Sequence, residues 1–228
     1  MNVAFIPARK GSKGIPGKNK KNFCGKPLVQ WSIDQAKESK LFDKIIVSTD
    51  DKDILKIAEE SGVIPVKRQS ELCKDNTSLD DVLFDYFKRD DTGDEPDNIC
   101  LLQPTSPLRN LQDIITPYKY LIKHRQCFSS VSVTWNPLMG WVKNATKKGN
   151  ACLYLIHKRP NRQTRDNFFL ENGAVYWMRQ GILLRMGNRV GNPNETYLYE
   201  MPPERSLEVD TLIDWFVAEK TYEAMVKK

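Results

Sequence analysis

Short apolar, β-branched runs alternate with segments of helical spacing along the first 134 residues, and that order constrains the fold more than any other feature. Val3–Pro7 reads as a buried first strand, followed by a glycine- and proline-punctuated loop over residues 8–27. Leu28–Ser39 carries Leu28, Trp31, Ile33 and Ala36 at helical spacing, and Lys44–Ser48 is the next strand. Asp50 and Asp51 read as the cap of a helix whose buried stripe is Ile54, Leu55, Ile57 and Ala58. Val63–Val66, the helix Ser78–Phe87, Asn98–Gln103, the helix Leu111–Lys123 and Cys127–Thr134 continue the alternation. Asn98–Gln103 is nearly all apolar, as befits a strand covered on both faces. Such a series predicts an α/β domain with a mostly parallel sheet and helices on both faces.

Residues 135–170 interrupt the pattern with Trp, Asn, Pro, Lys and Arg, and read as an irregular inserted arm. Gly173–Met178 returns to strand character and Leu212–Met225 reads as a closing helix. The 228 residues fit one domain carrying that insertion. The five cysteines include no CxxC pair, which argues against a disulfide framework or a zinc site and fits a reducing cytoplasm. The two histidines, His124 and His157, exclude a His-rich metal site. No apolar run is long enough to span a bilayer, and the N-terminus lacks a basic region before an apolar stretch, so neither a membrane span nor a secretory signal is expected.

The net charge of +6 is unevenly placed. Residues 1–33 hold seven Lys and Arg and no acid. Most lie in Pro7-Ala8-Arg9-Lys10-Gly11-Ser12-Lys13-Gly14-Ile15-Pro16-Gly17-Lys18-Asn19, directly after the first strand. Glycines let backbone N–H groups turn toward an anion, while Arg forks onto phosphate oxygens and Lys acts as a point charge. The segment matches neither GxxxxGK[ST] nor GxGxxG. By itself it is a polyanion site or a solvated basic loop. A nucleic-acid binder is the other class that the charge suggests, but no recognition helix or RNA-binding aromatic signature accompanies it.

The same stretch, IPARKGSKGIPGKN, resembles the N-terminal signature of the acylneuraminate (CMP-sialic acid synthetase) cytidylyltransferases. The resemblance continues in order through KIIVSTDDKDI, VKRQSELCKDNTS, LLQPTSPLRN, NGAVYWM and VDTLID, and is weakest over 135–170. It implies a Rossmann-like nucleotide-diphospho-sugar transferase sheet. Arg9 and Lys18 would bind the phosphates of CTP with Lys13 beside them, Asn19 the base or ribose, and Arg68 and Ser78 the nucleoside. Gln103, Asn172, Tyr176 and Arg162 or Arg165 would face the sugar acid. The family's metal pair falls on Glu208 and Asp210, implying Mg²⁺, with Arg9, Lys18 and Asp210 as the catalytic set. Two positions depart from the family pattern: Glu208 stands where Asp is usual, and Lys10 replaces a glycine.

Individually, these positions also have plainer readings. Glu208 and Asp210 could be a solvated turn, although alternate residues of an extended segment share a face. Gln103 could cap its strand, although ligands of open α/β sheets collect at strand C-termini. Arg68 could be a surface residue, and Trp135, Trp141 and Trp177 core or interface residues rather than a sugar platform. The resemblance implies transfer of CMP from CTP to the anomeric hydroxyl of a nine-carbon sialic-type acid, with release of pyrophosphate. Pseudaminic or deaminated sialic acid, or a non-catalytic binding homologue, are the alternatives. It also implies a homodimer whose arm reaches the neighbour's sugar site, with no nucleic-acid or membrane partner.

Overall fold

A computed structural model describes residues 1–88, 95–136 and 168–227, and the backbone of 141–146 and 149–152. Its elements are β1 (Asn2–Pro7), β2 (Asn22–Phe23), β3 (Lys26–Pro27), α1 (Leu28–Ser39), β4 (Lys44–Thr49), α2 (Lys52–Glu60), β5 (Ile64–Lys67) and α3 (Leu79–Lys88). There follow β6 (Asn98–Leu102), α4 (Leu111–Lys123), β7 (Ser129–Trp135), β8 (Trp141–Thr146), β9 (Gly149–Cys152), β10 (Phe169–Arg179), α5 (Gln180–Met186), β11 (Thr196–Glu200) and α6 (Leu212–Val226).

The main sheet has seven strands in the order β11-β7-β10-β6-β1-β4-β5. β1 runs parallel to β4 and β6, β4 to β5, and β7 to β11. Only β10 is reversed, lying antiparallel between β6 and β7. The sheet is thus mostly parallel, as expected. Alternate residues of each strand feed opposite cores. Ala4, Ile6, Val47, Cys100, Leu102 and Trp177 face α1, α2 and α4. Val3, Phe5, Ile46, Ile99, Leu101 and Met178 face α3 and α5. Both faces are therefore covered by helices. Every residue of β6 is buried, in keeping with its apolar sequence.

Trp177 proves to be a core residue, stacked on Phe42 with its indole N–H donating to the Ile114 carbonyl at 3.0 Å. A third cluster joins Ile15 of the basic loop, Phe23, Leu28 and Leu108 to Val209, Trp215 and Ala218. It clamps the two chain ends together, and it does so beside the C-terminal edge of the sheet. The opposite side of α6 leaves Leu212, Ile213 and Phe216 exposed.

Six elements lie beyond the sequence expectation: the short strands β2 and β3 within the loop over 8–27, the β8–β9 hairpin within the arm, and α5 and β11. β10 is longer than Gly173–Met178, and its register with β7 shifts between Glu171 and Tyr176, around Gly173 at φ +69°. Of the arm expected over 135–170, the structure describes the β8–β9 hairpin and the base where Phe169 pairs with Trp135. Arg162 and Arg165 lie outside the described residues.

Candidate active site

A cleft of about 430 Å³ opens at the C-terminal ends of β1, β5 and β6, the edge where open α/β sheets bind ligands. Arg9, Lys13, Lys18, Asn19, Arg68, Gln103, Glu208 and Asp210 all line it. Eight positions spread from the first strand to the last loop are thereby brought into one depression.

The basic loop is anchored rather than solvated. Ile15 is buried, and Gly17 at φ +65° turns the chain into a short 3-10 helix that places Lys18 and Asn19 inward. Lys18 Nζ donates to the Val209 carbonyl at 2.7 Å and to Asp210 Oδ1 at 2.8 Å. Asn19 Nδ2 donates to the Arg9 carbonyl at 3.0 Å, fixing the near end of the same loop. Gly14 packs on the Asp210 backbone so closely that a Cβ would lie 2.0 Å from its carbonyl oxygen. Lys20 turns away, pairing with Asp51 and Asp53. Asp51 caps α2, accepting from Asp53 N at 2.9 Å, as the sequence suggests.

Arg68 is buried, not a surface residue. Its Nε donates to Ser48 Oγ at 3.1 Å and its Nη2 to the Ser48 carbonyl at 2.9 Å, at the end of β4. Burial holds its guanidinium below the ordinary arginine pKa.

Gln103 sits immediately after β6, donating through Nε2 to the Gly173 carbonyl at 2.8 Å. Its own carbonyl accepts from Arg109 Nη1 at 2.8 Å. Arg109 also donates to the Ala174 carbonyl at 3.0 Å and to Ser32 Oγ, and full burial depresses its pKa to about 10. This guanidinium braces β6 against β10 beneath the cleft. A Cβ on Gly173 would come within 2.9 Å of Gln103 Nε2 and 3.1 Å of Glu208 Oε1, so the αL glycine leaves room for both side chains.

Glu208 accepts from Thr105 Oγ1 at 3.3 Å. Packing around it and the nearby Asp210 push its carboxyl above the usual range. Its loop is pinned by the Val209 N–H to Thr105 carbonyl bond at 2.7 Å and by Arg205, which forks onto the buried Asp113 at 2.9 Å through both Nε and Nη2. Of the three described carboxylates lining the cleft, Asp75 is taken up by Arg9 and Lys13, which leaves Glu208 and Asp210, the latter shared with Lys18, to face a cation. Among the described residues no group of three or more His, Cys, Asp or Glu could hold a metal. A cation would therefore need further oxygens from water or from a bound anion, which is the habit of Mg²⁺ with phosphates.

Three expected residues are placed differently from the rest. Ser78 exchanges hydrogen bonds with Asp81 at the start of α3, while its neighbours Thr77 and Leu79 line the cleft. Asn172 is buried behind the cleft, where Oδ1 accepts from Ser132 Oγ at 2.6 Å and Nδ2 donates to Ser206 Oγ at 2.9 Å. Tyr176 lies in the core under α3 and α5, its hydroxyl donating to Glu171 Oε2 at 3.0 Å. Asp75, Thr105, Arg109 and Asp113 were not anticipated. Their types alone carry no signal, and only the folded proximity to a cation or carbonyl singles them out.

The family model for cytidylyltransferases matches residues 3–190. The chain belongs to the cytidylyltransferase family. Among similar members, N-acylneuraminate cytidylyltransferase of Oncorhynchus mykiss is 36% identical over 96% of this chain and 49% of that protein. The enzyme of that name from Streptococcus agalactiae is 35% identical over 93% of this chain and 51% of its own length. CMP-N,N'-diacetyllegionaminic acid synthase of Legionella pneumophila is 29% identical, covering 97% of this chain and 96% of that protein. The chain thus spans about half the length of several curated cytidylyltransferases it matches. In fold it is similar to CMP:2-keto-3-deoxy-manno-octonic acid synthetase complexed with CTP, at TM-score 0.71, 20% identity, and coverage of 99% of this chain and 98% of that one. It is also similar to 4-diphosphocytidyl-2C-methyl-D-erythritol synthase from Anaerococcus prevotii, at TM-score 0.69, 14% identity, and coverage of 100% and 98%.

Proposed function

We propose that this cytidylyltransferase moves CMP from CTP to the anomeric hydroxyl of a nine-carbon sialic-type acid and releases pyrophosphate. The observation that carries the reading is the convergence of Arg9, Lys13, Lys18, Arg68, Gln103, Glu208 and Asp210 on one cleft. The relatives named for acylneuraminic and legionaminic acids support the substrate class.

In this reading Arg9, Lys13 and Lys18 neutralise the β- and γ-phosphates, and Asn19 and Arg68 hold the nucleoside. Gln103, oriented by Gly173, faces the sugar acid, with Arg162 or Arg165 of the arm as its carboxylate partner. The anomeric oxygen attacks the α-phosphorus in line as the bond to the pyrophosphate oxygen breaks. The hydroxyl proton leaves to water or to a water held by a metal ion, since no histidine is among the described residues that line the cleft. Rate enhancement comes from positioning and from charge placed where the leaving group develops it.

Glu208 and Asp210 fit a Mg²⁺ ion: the two carboxylates line the same cleft beside the basic loop, and burial first, then the neighbouring Asp210 charge, disfavours the Glu208 anion without a counter-cation. Bound there, Mg²⁺ would supply charge neutralisation of the phosphates. We further propose a cytoplasmic homodimer. The aromatic and basic sequence of 135–170 supports an intersubunit arm, and no described helix is long and apolar enough to cross a membrane.

The test is pyrophosphate release with CTP or UTP against a panel of N-acetylneuraminic, legionaminic, pseudaminic and deaminated acids, with and without EDTA. Release with CTP and one nine-carbon acid, abolished by EDTA, is expected. Binding of CTP without release for any acid would instead assign a non-catalytic homologue.

A further inference from the structure

The cations of the basic loop are already in contact with an anion of the chain itself. Asp75 spends one oxygen on each of two of them: Oδ1 lies 2.8 Å from Arg9 Nη1 and Oδ2 lies 2.8 Å from Lys13 Nζ. That is how a phosphate group bridges two cations, with separate oxygens on each. Asp75 lines the cleft together with Leu72, Lys74 and Thr77, on the short segment between β5 and α3. The segment is fastened at both ends: Arg68 N donates to the Thr49 carbonyl at 2.8 Å upstream, and Ser78 joins Asp81 downstream.

We propose that Asp75 is an intramolecular competitor for the polyphosphate subsite, occupying Arg9 and Lys13 until a nucleotide polyphosphate displaces it and returning as pyrophosphate departs. The inference rests on the reading of this cleft as a CTP site. Two physical features suit the role. Arg9, Lys13 and Asp75 keep 33, 78 and 52% of their side-chain surface exposed, so neither ion pair is strong. A carboxylate also brings one negative charge and two oxygens, whereas a di- or triphosphate brings more of both. Lys13 and Arg9 hold the Asp75 carboxyl below the usual carboxylate range, so it stays ionised at neutral pH and gives way to an anion, not to a proton. Lys18 is engaged separately, by Asp210 and the Val209 carbonyl, so the competition is confined to Arg9 and Lys13.

Calorimetric titration of the full chain with sodium pyrophosphate, CTP and cytidine tests this in the wild type, Asp75→Asn, Asp75→Ser, Arg9→Ala, and Arg9→Ala combined with Asp75→Asn. Both Asp75 variants are expected to bind pyrophosphate and CTP about three- to tenfold more tightly, the size expected from releasing two exposed ion pairs. Cytidine affinity is expected to stay unchanged, and the gain to shrink in the Arg9→Ala background. Unchanged or weaker pyrophosphate binding in both Asp75 variants, with the wild type still binding CTP, overturns the competitor role alone. Absence of CTP and pyrophosphate binding in every protein overturns the nucleotide reading and the competitor role together.

Discussion

The ammonium group of Lys18 lies 2.8 Å from the Asp210 carboxylate, joining two loops whose residues are 192 positions apart in sequence. The lysine is buried at 8% side-chain exposure while the aspartate keeps 61%. One bond therefore fixes the inner end of the basic loop against a carboxylate that still faces the cleft. Replacing Lys18 by Met leaves the Val209 carbonyl without its donor, a cost of about 1–3 kcal/mol. It also removes a charge from the proposed phosphate subsite, so kcat for pyrophosphate release is expected to fall about 10²- to 10³-fold. Urea unfolding and steady-state kinetics on the same preparation separate the two effects.

The glycines of the basic loop are unequal. A methyl at Gly14 meets the Asp210 carbonyl oxygen at 2.0 Å, whereas at Gly11 the nearest heavy atom is the tip of Arg9 at 4.0 Å. Gly14→Ala must therefore push the loop off the Glu208–Asp210 segment. It is expected to lower stability by about 1–3 kcal/mol and to reduce turnover. Gly11→Ala is expected to leave stability within about 0.5 kcal/mol of wild type. Paired thermal melts decide between unequal and equal effects.

Arg205 and Asp113 hold the far side of the same segment. Asp113 is fully buried, accepts both Arg205 nitrogens at 2.9 Å and also accepts from Tyr199 Oη at 3.1 Å. Burial and the nearby Asp113 carboxylate push the Tyr199 hydroxyl up to about 12. Arg205→Met strands a carboxylate in the interior and is expected to cost about 3 kcal/mol in urea denaturation. Arg205→Lys should recover part of that loss, but not all, because an ammonium cannot fork.

A pH-dependent contribution to stability sits at the start of α6. Asp214 Oδ2 accepts from Thr211 N at 2.7 Å, Thr211 Oγ1 at 2.9 Å and Asp210 N at 3.2 Å. The Thr211 N–H and hydroxyl hold its carboxyl below the ordinary aspartate value. A depressed folded pKa contributes stability above the unfolded value of about 4 that is lost as pH falls through the folded pKa. The stability gap between wild type and Asp214→Ala is therefore expected to be full at pH 7 and to close below about pH 4. Thr211→Ala, which removes the other half of the capping box, is expected to cost about 1 kcal/mol at pH 7. Urea unfolding across the pH range measures both.

What could be read in the sequence followed periodicity. β1, β4, β6, α1, α2 and α4 are long or strongly patterned and stand close to where their residues suggest. α5 is a seven-residue helix with two buried residues, Ile182 and Leu183, too short to show a stripe. β11 conceals its alternation because Leu198 points outward at 52% exposure between Tyr197 and Tyr199, which pack on the core. The reversal of β10 depends on where the chain re-enters the sheet, which local pattern does not encode. In the site, Arg9, Lys18, Gln103, Glu208 and Asp210 came from motif order, and all line the cleft. Asn172 belongs to a motif for the same reason, yet its amide is consumed in joining Ser132 to Ser206. Asp75 and Arg109 gain meaning only from the partners that folding gives them.

Attack by the anomeric oxygen on the α-phosphorus leaves an isotopic record in the product. The protein is incubated with CTP, Mg²⁺ and N-acetylneuraminic or legionaminic acid carrying ¹⁸O at the anomeric hydroxyl, and the products are resolved by mass spectrometry. A CMP-sugar that retains ¹⁸O in its bridging oxygen is expected, together with unlabelled pyrophosphate. Loss of ¹⁸O from the sugar nucleotide, or CMP formation with no sugar nucleotide for any nine-carbon acid, would contradict attack by the anomeric oxygen.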